Sequence, residues 1–169
     1  MDTMSRTKTH YLNQPMFGLF APKSAADSSA IRGHFVAAAG EFVGTYFFLF
    51  TAYLGHAMSV DFALESAPGG GNSNQTVIFI ALSYGFGLLV AAWILYRVSG
   101  GLFNPAVTLG MVITGTLPTI RGLVLFPTQI VGGICAAAVA SCIIPVDIAT
   151  VQTTLAPNMS VAQGLFLEM

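Results

Sequence analysis

Hydrophobic residues along the chain fall into three long runs that shorter polar segments separate. The runs cover residues 34–60, 76–96 and 122–144. An α-helix needs about 20 consecutive apolar residues to cross a bilayer, and each run is long enough to do so. The pattern therefore predicts three transmembrane helices. Residues 1–32 form a more polar segment before the first run, and we expect a cytoplasmic, largely disordered tail there.

A fourth apolar segment, from Pro105 to Leu117, is too short to cross a membrane. As a helix it would extend on the order of 15–20 Å, half of a bilayer. Asn104 is typical of the residue that caps a helix N-terminus, and Pro105 is typical of the first helical position. The sequence therefore predicts a half-length helix that begins at this Asn-Pro pair.

The composition indicates that lipid surrounds much of the chain. Only 8% of the residues are charged and 54% are hydrophobic, whereas soluble domains carry about 25% charged residues. The net charge of -1 argues against nucleic acid as a partner. The fold class that follows is an all-α membrane protein.

The charged residues between the hydrophobic runs predict how the chain lies in the membrane. With a cytoplasmic N-terminus, every basic residue falls inside, and Asp61, Glu65 and Asp147 fall outside, as the positive-inside rule requires. The same arrangement puts both ends of the segment 99–117 on the cytoplasmic side. A half-length segment of this kind is expected to enter the membrane and return. The basic residues are Arg6, Lys8, Lys23, Arg32, Arg97 and Arg121.

A re-entrant segment has a chemical consequence. Non-helical backbone survives at membrane depth only where it packs inside the protein or lines a water-filled cavity. A helix that begins at Asn104 would point its positive dipole end at the membrane centre, and the Asn104 side chain would add N–H donors there. Such a site orients a neutral polar solute and repels cations. The alternative is an ordinary helix start in a cytoplasmic loop, which the short apolar run and the same-side flanks disfavour.

The stretch around Asn104, "SGGLFNPAVTLG" at residues 99–110, resembles the first Asn-Pro-Ala signature of the major intrinsic protein family, the aquaporins and aquaglyceroporins. Gly101 and Leu102 replace the Ala-His pair that is common in the family, a variant that resembles fungal orthodox aquaporins. The resemblance covers residues 34–169 and implies half of an inverted-repeat bundle. That half has three transmembrane helices, one re-entrant half-helix and the start of a fourth helix over residues 160–169.

The resemblance also implies which residues line a pore. Tyr84 lies twenty residues before Asn104, at the position that narrows the filter in this family. The loop before the half-helix would offer backbone carbonyls to the solute. The pore residues implied in this way are Tyr84, Gly100, Gly101, Leu102, Phe103, Asn104, Pro105, Ala106 and Val107.

Glu41 lies within the first run, in "AGEFVGT" at residues 39–45. A carboxylate inside a span has to face the bundle or water, and Gly40 and Gly44 share its helix face. In the family this glutamate accepts hydrogen bonds from the re-entrant loop, so the resemblance implies that Glu41 anchors the loop. Gln129, on a small-residue face of the third run, is a second candidate for a bridge to the loop. Helix packing through Gly40 and Gly44 alone is the alternative.

The resemblance implies passive passage of water, or of another small neutral solute, through a multi-pass protein of the plasma membrane or an internal membrane. The full-length parent would be a homotetramer without a cofactor. Because the chain stops at Met169, inside a helix that Ser160 would cap, we expect it to be truncated after the first repeat. Two alternatives stay open. One is a non-conducting truncated subunit or fragment that packs with full-length channels, and the other is half of an aquaglyceroporin that passes glycerol.

An enzyme is not expected. His10, His34 and His56 have no metal-ligand spacing, and Ser99 has no base near it in the sequence. His56, near the outer end of the first run, is interpreted as a surface histidine.

Overall fold

The computed structural model describes residues 27–66, 73–155 and 158–168. These residues form five α-helices and one 3-10 turn, and they contain no β-strand. The all-α class predicted from the sequence is therefore confirmed. The helices are α1 (Asp27–Ser66), α2 (Asn74–Ser99), α3 (Pro105–Ile113), α4 (Thr119–Ile143) and α5 (Val161–Glu168), and the 3-10 turn is Ile148–Val151.

Within the described residues, three helices are long and apolar enough to cross a membrane, namely α1 from Ile31 onward, α2 and α4. They coincide with the three hydrophobic runs, and each is longer than its run. Helix α1 has 40 residues, which extend about 60 Å. No proline and no glycine pair interrupts it, so it starts within the segment predicted as a polar tail and continues past Asp61. Residues 1–26 of that segment lie outside the described residues.

Both ends of α2 have a cause in the sequence. Ser73 caps the N-terminus, where its Oγ accepts a hydrogen bond from Thr76 N at 3.2 Å. At the other end Gly100 has a left-handed φ of 111°, and its N–H donates to Tyr96 O at 3.1 Å. Glycine adopts this conformation at little steric cost. The chain therefore leaves α2 at the glycine pair that opens the predicted re-entrant segment.

Helix α1 is the central helix, because α2 and α4 both pack against it, while α3 packs against α4. Small residues allow the close approach. A Cβ atom at Gly132 of α4 would come 3.0 Å from Phe42 O of α1, and one at Gly87 of α2 would come 2.7 Å from Thr51 Oγ1. Such contacts are typical of helices that associate within a membrane.

Two apolar clusters hold the helices together at different heights along α1. The first joins Ala37 to Leu117, in the turn after α3, and to Leu125 of α4. The second joins Ala57 to Ala140 and Ile144, at the end of α4. Ala37 and Ala57 are about 30 Å apart along the helix axis. The buried polar groups of the candidate site lie between the two clusters, beginning one turn after Ala37.

Helix α5 begins with a reciprocal cap of the kind predicted at Ser160. Ser160 Oγ accepts a hydrogen bond from Gln163 N at 3.3 Å, and Gln163 Oε1 accepts one from Ser160 N at 2.8 Å. This arrangement satisfies two backbone donors that a helix start would otherwise leave unpaired.

Candidate functional site

The loop between α2 and α3 takes an unusual backbone path. Gly100, Gly101 and Phe103 have φ angles of 111°, 67° and 44°. Glycine tolerates these values, whereas phenylalanine in the left-handed region costs on the order of 1 kcal/mol or more. The loop therefore needs contacts that hold Phe103 in place.

Glu41 of α1 supplies the first of these contacts. Its side chain is fully buried. Oε1 accepts a hydrogen bond from Leu102 N at 3.1 Å, and Oε2 accepts one from Phe103 N at 2.8 Å. Oε2 also accepts a hydrogen bond from Gln129 Nε2 at 2.8 Å. One carboxylate on α1 thus joins the loop to α4, through hydrogen bonds of the stronger, charge-assisted type.

Gln129 extends the hydrogen bonds to α3. Its Oε1 accepts a hydrogen bond from Thr108 Oγ1 at 2.9 Å, and both side chains are buried. We call Glu41, Gln129 and Thr108, with the backbone N–H groups of Leu102 and Phe103, the buried polar network. Thr108 was not singled out from the sequence, although a hydroxyl within a nine-residue apolar helix was a usable signal.

Phe103 is also held by its ring, which packs on Gly44. A Cβ atom at position 44 would lie 1.9 Å from Phe103 Cε1, which is far inside van der Waals contact. Only 2% of the Phe103 surface is exposed. Gly44 therefore leaves the space that the ring occupies, and Glu41, one turn earlier on the same helix face, binds the Phe103 backbone.

Asn104 caps the N-terminus of α3. Its Oδ1 accepts a hydrogen bond from Ala106 N at 2.8 Å, and Pro105 occupies the first helical position. The residue is exposed. Since Oδ1 is used in the cap, the NH2 group is the part of this side chain that is left to donate. It does so beside the positive end of the α3 dipole.

A cavity of about 450 Å³ lies beside Asn104, between α1 and α4. Most of its lining is apolar. The polar side chains in its wall are Thr45, Tyr53, Asn104 and Gln129. Thr45 Oγ1 is buried and has no hydrogen-bond partner among the described residues. The cavity therefore combines an apolar wall with a few hydrogen-bonding groups.

The pore residues expected from the sequence are only partly brought together here. Phe103, Asn104 and Pro105 line the cavity, as does Gln129. The remaining six are not among its lining residues. Leu102 instead packs against the apolar cluster at Ala37. Those six are Tyr84, Gly100, Gly101, Leu102, Ala106 and Val107.

Tyr84 packs against α1 instead. Its ring meets the ring of Phe48 edge-on, with the centroids 6.4 Å apart and the planes at 77°. Phe48 lines the cavity, so one ring separates Tyr84 from it. The Tyr84 hydroxyl lies 3.4 Å from His56 Nδ1. His56 is thus half-buried against α2 and is not the surface histidine that was expected.

Arg121 lies at the start of α4 and is buried, with 5% of its surface exposed. Its Nη1 donates a hydrogen bond to Gly33 O at 3.1 Å and lies 3.5 Å from His34 Nδ1. In the sequence, Arg121 was only one of the basic residues that predict the orientation. The structure shows that Arg121 also joins the first turn of α4 to α1.

The fold and the site define a helical membrane protein in which a half-length helix packs against one of three long apolar helices and presents a capped N-terminus beside a cavity. The model of the major intrinsic protein family matches residues 28–169. The chain belongs to the major intrinsic protein family, and the resemblance of the Asn-Pro-Ala stretch is confirmed.

Relatives in fungi agree with this assignment. The chain is 49% identical to probable aquaporin-3 of Gibberella zeae over 148 residues, which cover 88% of this chain and 52% of that protein. It is 49% identical to aquaporin-7 of Botryotinia fuckeliana over 141 residues, which cover 82% and 31%. It is 38% identical to aquaporin-2 of Saccharomyces cerevisiae over 144 residues, which cover 85% and 49%. The chain thus spans about half the length of these relatives or less.

Proposed function

We propose that the protein forms a passive water channel and that this chain supplies its first repeat. The names of the three fungal relatives support the channel class. The observation that carries the proposal is the cap at Asn104, where Oδ1 is bound to Ala106 N and the NH2 group stays available beside a cavity.

In the proposed mechanism Asn104 binds the oxygen atom of each passing water molecule. The N–H donors of Asn104 and the positive end of α3 both favour an oxygen atom that faces them. The same positive end repels cations and protons. Glu41, Thr108 and Gln129 act through the loop in this mechanism, although Gln129 also lines the cavity. They fix the loop, so that Asn104 keeps one position while water exchanges.

The length of α3 supports a re-entrant path. Its nine residues extend about 14 Å, less than half of a bilayer core of about 30 Å. We place the N-terminus of the chain, Ser99 at the start of the re-entrant segment, and the turn after α3 on the cytoplasmic side, following the distribution of basic residues. The cavity between α1 and α4 would be closed by a second repeat, and the complete protein would form a homotetramer.

Aromatic side chains favour water over larger solutes. Phe48 and Phe103 line the cavity, and Tyr84 packs behind Phe48. In the complete channel Tyr84 would narrow the mouth, while the loop from Gly100 to Phe103 would offer carbonyl groups. A passage between bulky rings restricts the diameter, which is one of the physical bases of channel selectivity. Water is therefore the proposed permeant, and glycerol is the alternative permeant.

The experiment uses a complete channel, made by joining this chain, in the connection between α4 and α5, to the second half of the Gibberella zeae relative. Purified protein in liposomes is exposed to an osmotic step, and light scattering gives the rate of water flow. Fast flow is expected from the completed protein and not from empty liposomes. N104D should abolish it, because a carboxylate offsets the positive end of α3 and removes the NH2 donors.

The matched control is N74D, which makes the same chemical change at an exposed residue that begins α2. It should conduct like the parent. Equal flow in N104D and the parent would contradict the role of Asn104, and absence of flow in the parent would contradict the water channel.

A further inference from the structure

The cavity beside Asn104 extends along two helices. On α1 its wall runs from Thr45 to Tyr53, and on α4 it runs from Gln129 to Ala137. Each wall advances by eight positions, which correspond to about 12 Å along a helix. The cavity is therefore elongated, and a water molecule that crosses it travels about four hydrogen-bond lengths.

The two walls run in the same direction. Ala37 of α1 belongs to one apolar cluster with Leu125 of α4, and Ala57 belongs to the other cluster with Ala140. Residue numbers therefore rise together along both helices. The end of the cavity that Thr45 and Gln129 line is one end of the passage, and the end that Tyr53 and Ala137 line is the other.

Asn104 lies at the first of these ends. Phe103, which precedes it, packs its ring on Gly44, and Gln129 is bonded to Thr108 of α3. These contacts hold the N-terminus of α3 beside the beginning of both walls. Tyr53 lies nine positions after Gly44, which is more than two helical turns further along α1.

The wall between the two ends is apolar. Among the described residues that line it, none of those between the ends has a side chain that can form a hydrogen bond. A water molecule in this stretch cannot bind to the wall, and a polar group without hydrogen-bond partners is costly in apolar surroundings. Tyr53 is the polar side chain that follows this stretch. The apolar stretch consists of Phe48, Leu49, Ile130, Gly133 and Ile134.

The hydroxyl group of Tyr53 is available for a ligand. Its side chain is half-buried, and it makes no hydrogen bond with the residues that the structure describes. Tyr84 differs, since its hydroxyl lies 3.4 Å from His56 Nδ1 and the residue does not line the cavity. Buried tyrosine hydroxyls usually bind a partner, and they can both donate and accept a hydrogen bond.

We infer that Tyr53 is a second binding residue for water, at the opposite end of the cavity from Asn104. Its hydroxyl forms a hydrogen bond with each water molecule that enters or leaves the apolar stretch. A hydrogen-bonding group at both ends lowers the barrier that the apolar stretch imposes, and in the proposed orientation Tyr53 lies on the outer side of Asn104. The inference rests on the proposed channel function and adds a residue that the permeant contacts.

The first test measures osmotic water flow through the completed channel with the substitution Y53F, which removes the hydroxyl and keeps the ring. Flow should fall about two- to ten-fold, which corresponds to the loss of one hydrogen bond. Flow through Y53F should also increase more steeply with temperature than flow through the parent, because the barrier in each channel is higher. A loss of folded protein would lower the flow without this change in temperature dependence.

The matched control is Y46F, which makes the same chemical change elsewhere on α1. Tyr46 stacks on Phe50, with the ring centroids 5.6 Å apart, and it does not line the cavity. Y46F should conduct like the parent, with the same temperature dependence. Parental flow in Y53F, or a lower flow in Y53F with the parental temperature dependence, would overturn the inference.

A second measurement does not depend on conduction. Y53C and Y46C are made in a completed channel whose other cysteines are serine, and mass spectrometry follows their reaction with mercuric chloride dissolved in the outer solution. Y53C should react at least about ten times faster, because a thiol reacts where water reaches it and position 53 lines the cavity. Equal rates would overturn the inference. A completed channel that conducts no water contradicts the proposed function instead, and the two reaction rates then decide whether position 53 faces water.

Discussion

The backbone N–H of Phe103 lies 2.8 Å from Oε2 of Glu41, although 62 residues separate the two along the chain. This hydrogen bond stabilises a phenylalanine with a φ of 44°, immediately before the residue that caps α3. The positive φ costs about 1–3 kcal/mol. The strained backbone and the position of Asn104 are therefore linked to a single carboxylate on α1.

Replacement of Glu41 should therefore lower both the stability of the protein and the water flow through the completed channel. E41L would leave the N–H groups of Leu102 and Phe103 and one N–H of Gln129 unpaired, and each buried unpaired donor costs about 1–3 kcal/mol. E41Q keeps one acceptor oxygen and should lose less. Stability is measured by unfolding the protein in mixed micelles with increasing SDS. Water flow is measured by light scattering from liposomes that hold the completed channel.

The control for this comparison is E65L, at an exposed position near the end of α1. It should unfold like the parent. Parental stability and parental flow in E41L would show that the carboxylate does not anchor the loop.

Gly44 should not tolerate a methyl group. In G44A the new Cβ atom would overlap the ring of Phe103, which would have to leave its position against α1. Overpacking of this kind destabilises by about 1–3 kcal/mol. G85A is the matched control, because a Cβ atom there meets nothing within 4 Å in the middle of α2.

Since alanine is favoured over glycine in a helix by about 1 kcal/mol, G85A should be neutral or stabilising. The same SDS titration compares the two variants. If G44A is as stable as G85A, the contact between Gly44 and Phe103 does not determine the loop conformation.

The hydrogen bond between Thr108 and Gln129 should couple α3 to α4. T108V removes the hydroxyl at nearly constant volume, and it should destabilise the protein by about 1 kcal/mol or more. T128V makes the same change where the hydroxyl is bonded to Val124 O of its own helix, and it should have a smaller effect. A double-mutant cycle of T108V with Q129L tests the pair directly, because partners in one network are not additive. Additive effects would contradict the coupling.

The long helices and the cap at Asn104 could be predicted from the sequence because their causes are local. Apolar length predicts a membrane-spanning helix, and Asn-Pro predicts a capped helix start. The burial of Glu41 was also predictable, since Gly40 and Gly44 share its helix face.

Interactions between distant residues were less accessible to sequence reasoning. Thr108 lies 21 residues from Gln129, and their hydrogen bond depends on how α3 packs on α4. His56 and Tyr84 are 28 residues apart, and their contact requires the close approach of α1 and α2 at Gly55. Without that packing, an isolated histidine near the end of an apolar run is indistinguishable from a surface residue.

The orientation of the chain stays a prediction that labelling can test. Single cysteines at Arg97, at Thr116 and at Ser73 use exposed positions at the end of α2, after α3 and before α2. The background lacks Cys135 and Cys142. If α3 enters and leaves on one side, R97C and T116C react with a membrane-impermeant reagent from the cytoplasmic side, and S73C reacts from the opposite side. Labelling of T116C together with S73C would mean that α3 crosses the membrane.

The central claim is that this chain supplies one donor site, at Asn104, of a channel that a second repeat completes. The measurement that tests it most directly compares osmotic water flow in liposomes that hold the 169-residue chain alone with flow in liposomes that hold the completed channel, at equal protein density. We predict fast flow from the completed channel and the flow of empty liposomes from the chain alone, because the cavity beside Asn104 is walled here by α1 and α4. Fast, protein-dependent flow through the chain alone would contradict the account.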